Sequence, residues 1–145
     1  MEDRMKQARE ALEGEITFAA LLADGRLITS EKKGIAPMMA LLQADEDCLR
    51  GAYVADRVIG RAAALLMEKA GVAAAYGEVI SSHAKKAFLQ SGISFSYEKE
   101  TAYIINRTQT GMCPMEEAVL EITDAQEAYI ALQRKLEMLT RGRAE

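Results

Sequence analysis

The residues best suited to chemistry fall in two clusters far apart in the chain. The first is Asp56, Arg57 and Arg61, and the second is Cys113 with Pro114 and Glu116 just behind it. Arg57 and Arg61 are spaced one helical turn apart, so on a helix they share a face. Asp56 precedes a run with helical character and stands where an N-cap carboxylate accepts a backbone N–H. Two arginines at a helix start are electrostatically unfavourable unless acids or a bound anion compensate. The compensating charge is either the chain's own acids, Asp56 included, or a phosphate or carboxylate ligand. Asn106 and Arg107 join this group if the polar stretch 106–111 folds over the helix start.

Cys113 precedes Pro114, and proline favours the first helical position. Cys113 is then the N-cap of a short helix, with Glu116 three residues on, as in a capping box with sulfur in place of oxygen. A thiol aimed at a helix N-terminus has a lowered pKa, which favours the reactive thiolate. The charges of Glu116 and Glu117 oppose that effect, and Met112 and Met115 also suit a cysteine that is core filler. A zinc site would need Cys48, His83 and Cys113 together, and nothing in their spacing converges them. No metal and no cofactor is assigned.

The elements that must position these groups follow from pattern. Val58, Ile59, Ala62, Ala63, Leu65, Leu66 and Ala70 give a helix apolar nearly all round, stopped by Gly71, and such a helix is buried. Residues 72–76 are a continuous apolar run within a strand over 72–80, which suggests a strand covered on both faces. Upstream, 3–12 is a polar surface helix, lightly packed. Residues 16–23 and 26–30 are strands around Asp24-Gly25, a strong hairpin signal. A short helix over 36–43 carries Pro37 in its first turn, 44–51 is a loop holding Cys48, and 52–55 is either a short strand or the lead into the buried helix.

Downstream, Ser81 or Ser82 caps a helix that uses Ala84, Ala87 and Phe88 and stops at Gly92. Residues 93–97 alternate as a strand, 103–105 are a short apolar segment, and 114–120 are a short helix. Thr123 or Asp124 caps a final amphipathic helix to about Leu139, which can cover its own domain or dock on a second copy. Two strands joined through a helix are parallel with a right-handed crossover. The expected fold is a three-layer α/β/α domain whose mixed sheet joins an N-terminal hairpin to parallel strands.

The whole chain of 145 residues, half of them hydrophobic, suits one domain with a real core. A net charge of −4 argues against nucleic acid as the main partner. Two distant cysteines make no disulfide framework, the start MEDRMKQARE lacks the apolar core of a signal peptide, and no apolar run is long enough for a bilayer. A cytoplasmic protein with no membrane partner is expected.

Three segments together, Ala55 to Leu66, Tyr103 to Arg107 and Met112 to Glu117, resemble a small prokaryotic family of uncharacterised proteins assigned to the cytidine-deaminase-like fold. The resemblance covers roughly residues 15–120, the deaminase-like core, and leaves 121–145 as a C-terminal helix outside it. It implies a fold and a pocket location rather than a reaction. Zinc deaminases carry His-x-Glu at one core helix start and Cys-x-x-Cys at the next. Here those positions read Ala55-Asp56-Arg57 and Ser81-Ser82-His83-Ala84, so neither ligand set nor the catalytic Glu is present.

The expectation is therefore a pocket at the carboxyl ends of the central strands, where open sheets of this kind collect ligands. Asp56, Arg57, Arg61, Asn106, Arg107 and Cys113 form its polar lining, for a small anionic, nucleotide-like ligand. Cys113 is the candidate nucleophile or sulfur carrier, with Asp56 as a second candidate catalytic group. The alternative is a non-enzymatic binding or assembly module that kept the fold without the chemistry.

Overall fold

The computed structural model describes residues 2–102 and 113–144. Its centre is a sheet of five strands: β1 (Phe18–Leu21), β2 (Leu27–Ser30), β3 (Tyr53–Ile59), β4 (Ala74–Ser81) and β5 (Ser94–Thr101). Their order is β2-β1-β3-β4-β5. The hairpin is antiparallel, β1 pairs antiparallel with β3, and β3, β4 and β5 run parallel. The expected α/β architecture with a mixed sheet is the observed one.

The hairpin forms where Asp24-Gly25 directs it. Gly25 takes φ +93°, and Asp24 accepts the backbone N–H of Arg26 at 3.0 Å, fixing the turn. β1 is buried along its whole length because both faces are covered. On one face, among the described residues, lies α1 (Glu2–Glu10) alone, with Ala8 and the following Leu12 packed on Ala19, Ala55 and Tyr76. The expectation of a lightly packed surface helix fails here. Ala8 has no exposed surface, and the small residues beneath it let the helix come close.

The other face carries α2 (Ala36–Ala44), α3 (Arg61–Ala70), α4 (Ser82–Ser91), α5 (Pro114–Val119) and α6 (Ala125–Ala144). The main core lies there, around Phe18, Met38, Leu65, Leu66, Met67, Ile80, Phe88 and Leu132. α3 is the central helix and buries Ala62 to Met67 without interruption. Gly71 ends it at φ +75°, a left-handed conformation that a side chain would strain. Ser81 caps α4 by accepting the Ala84 N–H at 3.0 Å, and Asp124 caps α6 through the Glu127 N–H at 2.8 Å. α6 buries Ala128, Tyr129 and Leu132 against its own chain, which settles what that part of its apolar face covers.

One expected boundary moves, with consequences for the site. The buried helix was expected to start behind Asp56. Instead the chain stays extended through Ile59, and α3 starts at Arg61 with Gly60 as N-cap. The cause is pairing on both sides. Asp56 lies between Phe18 of β1 and Gly77 of β4, and Val58 and Ile59 continue the ladder against Val79 and Ile80. β-branched residues suit that ladder better than a first helical turn. β5 likewise runs past the expected 93–97, to Thr101. The segment expected over 103–105 and the loop 106–111 lie outside the described residues.

Candidate functional site

A cavity of about 590 Å³ opens at the carboxyl ends of β3, β4 and β5. Its floor is buried and its rim is exposed. Asp56, Gly60, Ala62, Ala63, Ile35 and Glu116 form the deep part, and Lys33, Val58 and Lys99 stand at the edge. Val58, Val79 and Lys99 are successive partners across three strands, so one register lays down one wall. Met115 and the half-buried Cys113 close the side formed by α5.

Thr17 fixes the remaining wall. Its hydroxyl donates to the carbonyls of Ser30 (3.2 Å) and Lys32, and its own carbonyl accepts the Arg57 N–H at 3.1 Å. This ties the loop carrying Lys33 to the end of β3. Lys33 and Lys99 have no ion-pair partner among the described residues.

Asp56 is a buried carboxyl in the middle of the sheet, 6% exposed. Loss of water pushes its pKa up to about 8, and the backbone N–H groups of Val58 and Arg57 offset only part of that. At neutral pH it holds its proton, and a protonated carboxyl offers one donor and one acceptor. The expected N-cap role is therefore replaced by that of a neutral acid within a strand.

Arg57 borders the same cavity with its donors committed. It bonds Glu78 at 2.7 Å and the carbonyls of Ile16 (3.0 Å) and Gly14 (3.3 Å). Arg61 does not share its face. Arg57 belongs to a strand, whereas Arg61 opens α3 and donates, buried, to the carbonyls of Val119 (3.0 Å) and Ile122. The expected pair of arginines on one helical face is thus corrected. One holds the entry to β1, and the other clamps the end of α5.

What compensates the start of α3 is Glu116. Its carboxylate accepts the N–H groups of Arg61 (2.7 Å) and Ala62 (2.8 Å). Gly60 makes this possible, because a Cβ there would sit 2.4 Å from the Glu116 oxygen. Burial raises the Glu116 pKa, while the two N–H groups and the charges of His83 and Arg61 pull it back. His83, expected to be an exposed first-turn residue, is half-buried beside this carboxylate.

Cys113 is the N-cap of α5 as expected, but its side chain makes no capping bond. The sulfur version of the capping box is absent because Glu116 faces α3 instead. Asn106 and Arg107 lie outside the described residues. No three His, Cys, Asp or Glu side chains are grouped to hold a metal among the described residues, and Cys48, His83 and Cys113 do not meet. No helix among them is long and apolar enough to cross a membrane.

Of the residues singled out in the sequence, Asp56, Arg57 and Cys113 border the cavity, Glu116 borders it too but caps α3 rather than its own helix, and Lys33, Lys99 and Thr17 were missed. A signal for Glu116 was present. A helix opening on Gly60 has no capping side chain of its own and needs an acceptor from elsewhere. For Lys33 and Lys99 no local signal exists, since each depends on sheet register and loop path.

Fold and cavity together define an α/β protein whose mixed sheet presents a buried-carboxyl pocket at its parallel strand ends. Residues 7–136 match the family model described as "TM1506: Domain of unknown function (DUF1893)", and the chain belongs to that family. The chain is also similar to the crystal structure, at 2.70 Å resolution, of a DUF1893 family protein (TM1506) from Thermotoga maritima. The two are 29% identical, the match covers 93% of this chain and 91% of that one, and the TM-score is 0.83. No curated protein matches the chain.

Proposed function

We propose that the cavity binds a small anionic, nucleotide-like ligand in a cytidine-deaminase-like fold that lacks the zinc ligands of that class. The observation carrying this reading is the pair of cations without an ion-pair partner among the described residues, Lys33 and Lys99, on the rim of a cavity with apolar walls and a buried acid floor. Pockets of about 300–1,000 Å³ with few placed polar groups are typical small-molecule sites, and this one falls within that range. The strand order, an antiparallel hairpin beside three parallel strands, supports the fold assignment.

Arg57 supports the rim through its carbonyl contacts, and Arg61 acts on the site through α5 rather than by touching ligand. Asn106 and Arg107, outside the described residues, are further candidates for binding the anion by residue type alone. Cys113, on the cavity wall and free, is the candidate nucleophile or sulfur carrier, and Asp56 the candidate acid. In this reading the protein works in the cytoplasm without a cofactor.

The test is equilibrium binding of ribose 5-phosphate and ribonucleoside monophosphates to the wild type and to the Lys33→Ala/Lys99→Ala double variant. Loss of two charge-assisted contacts lowers affinity about 10- to 100-fold, with less salt dependence. Binding that ignores both lysines contradicts the reading. A second reading has one observation in its favour: Glu116, Arg57 and Arg61 are already satisfied by the chain itself. In that case the polar cluster only stabilises a binding or assembly module, which forms homo-oligomers. Then no phosphate compound binds, and Cys113 reacts with alkylating agents at an ordinary thiol rate.

A further inference from the structure

The cavity has two unlike ends. The rim presents positive charge at Lys33 and Lys99, while the floor presents the buried acid Asp56 among apolar and small residues, with the second buried acid, Glu116, turned to the N–H groups of Arg61 and Ala62. An anionic group satisfies the rim but not the floor. A negative charge beside Asp56 would face a carboxyl already starved of water, and a bare hydrocarbon would leave the acid's proton without an acceptor, since the Val58 and Arg57 N–H groups serve only its acceptor side. What the floor asks for is a neutral group that exchanges two hydrogen bonds with a carboxylic acid. The walls between floor and rim, Ile35, Val58, Ala63, Val79 and Met115, suit a flat apolar body.

We propose that Asp56 determines specificity in this cavity, its carboxyl group pairing with the adjacent donor and acceptor of a planar nitrogen heterocycle, a cyclic amide or amidine, whose attached phosphate reaches Lys33 and Lys99. The inference rests on the anionic-ligand reading above and deepens it by assigning each part of the ligand to an end of the cavity. Three features hold Asp56 in place for this role. It is fixed in register between β1 and β4, so it cannot swing away from the floor. No ion pair neutralises it among the described residues, and Arg57, one residue on, is spent on Glu78. Its proton is retained to about pH 8, so it offers both a donor and an acceptor in the neutral range. A site built around such a pair rejects ligands that lack the matching edge, because the donor of the buried acid is then left unpaired.

Ionisation of Asp56 removes the donor, so affinity for the heterocycle falls about tenfold per pH unit above about pH 8. The other charged or ionisable groups around the cavity are Lys33, Arg57, Lys99, Cys113 and Glu116. Their contribution is removed by taking the ratio of affinities for nucleoside monophosphate and ribose 5-phosphate, which share the phosphate and the rim. A Cys113→Ser background takes the thiol out of the comparison.

The experiment is calorimetric titration of the full chain with the four ribonucleoside 5′-monophosphates and with ribose 5-phosphate, from pH 6.5 to 9.5, with folding of each variant checked by thermal melting. At pH 7 at least one monophosphate should bind tenfold or more tighter than ribose 5-phosphate. Asp56→Ala should erase that advantage, bringing the monophosphate down to the affinity of ribose 5-phosphate for the same variant. Asp56→Asn, which keeps one donor and one acceptor, should retain the advantage and lose the decline above pH 8. If monophosphates bind and depend on the two lysines, but Asp56→Ala leaves the ratio unchanged, this inference falls while the anionic-ligand reading stands. If no monophosphate and no ribose 5-phosphate binds, both fall.

Discussion

Asp56 is costly to the fold in a way that titration exposes. The unfolded chain releases this proton near the ordinary carboxylate value of 3.8, whereas the folded chain keeps it to about 8. Between those values the folded state binds the extra proton, so stability declines as pH rises through the window. The slope from this one group is about 1.4 kcal/mol per pH unit at most. Asp56→Asn has no proton to lose and should lack that component, making it more stable than the wild type at pH 8 by urea unfolding. Equal pH profiles for the two proteins would contradict the burial argument. Gly60 makes a second prediction at this scale. Its backbone conformation suits any residue, so Gly60→Ala acts only by displacing the Glu116 carboxylate. The loss of two hydrogen bonds to a charged group should cost about 3–6 kcal/mol. In a Glu116→Ala background the same change should cost almost nothing, a non-additivity that a double-mutant cycle measures.

Among the elements, α3 and α5 are held by a reciprocal clasp. Glu116 of α5 serves the first N–H groups of α3, and Arg61 of α3 serves carbonyls at and beyond the end of α5. A six-residue helix contributes little stability of its own, so these contacts decide where Cys113 and Met115 stand. This bears on what the sequence could tell. Elements with an internal signal were legible: the Asp24-Gly25 hairpin, the Pro37 helix, the Ser81 cap, and the stops at Gly71 and Gly92. The start of α3 was not, because Asp56 looks like a cap by type and only pairing with β1 and β4 on both sides makes it a strand residue. Arg57 and Arg61 were misjudged for the same reason, since a helical spacing was applied across a strand-to-helix junction. α1 was underrated because its buried face is built from Ala8 and Leu12, too little to stand out until Ala19 and Ala55 are seen beneath it.

For the molecule as a whole, the sheet divides its labour. The face under α1 is sealed by small residues and by Tyr76, whose ring lies 4.2 Å under the Arg9 guanidinium and whose hydroxyl bonds Glu98 at 3.0 Å. The opposite face holds the main core and, at its strand ends, the cavity. Asp56, Arg57 and Cys113, picked out by type alone, border one cavity because the carboxyl end of β3 and the start of α5 both reach it. The most direct measurement is an amide NMR titration of the protein with a ribonucleoside monophosphate. Shifts should concentrate at residues 33–35, 56–60, 99–101 and 113–116, saturating together with one affinity. Shifts confined to other surfaces, or no shifts at millimolar ligand, would contradict binding in this cavity.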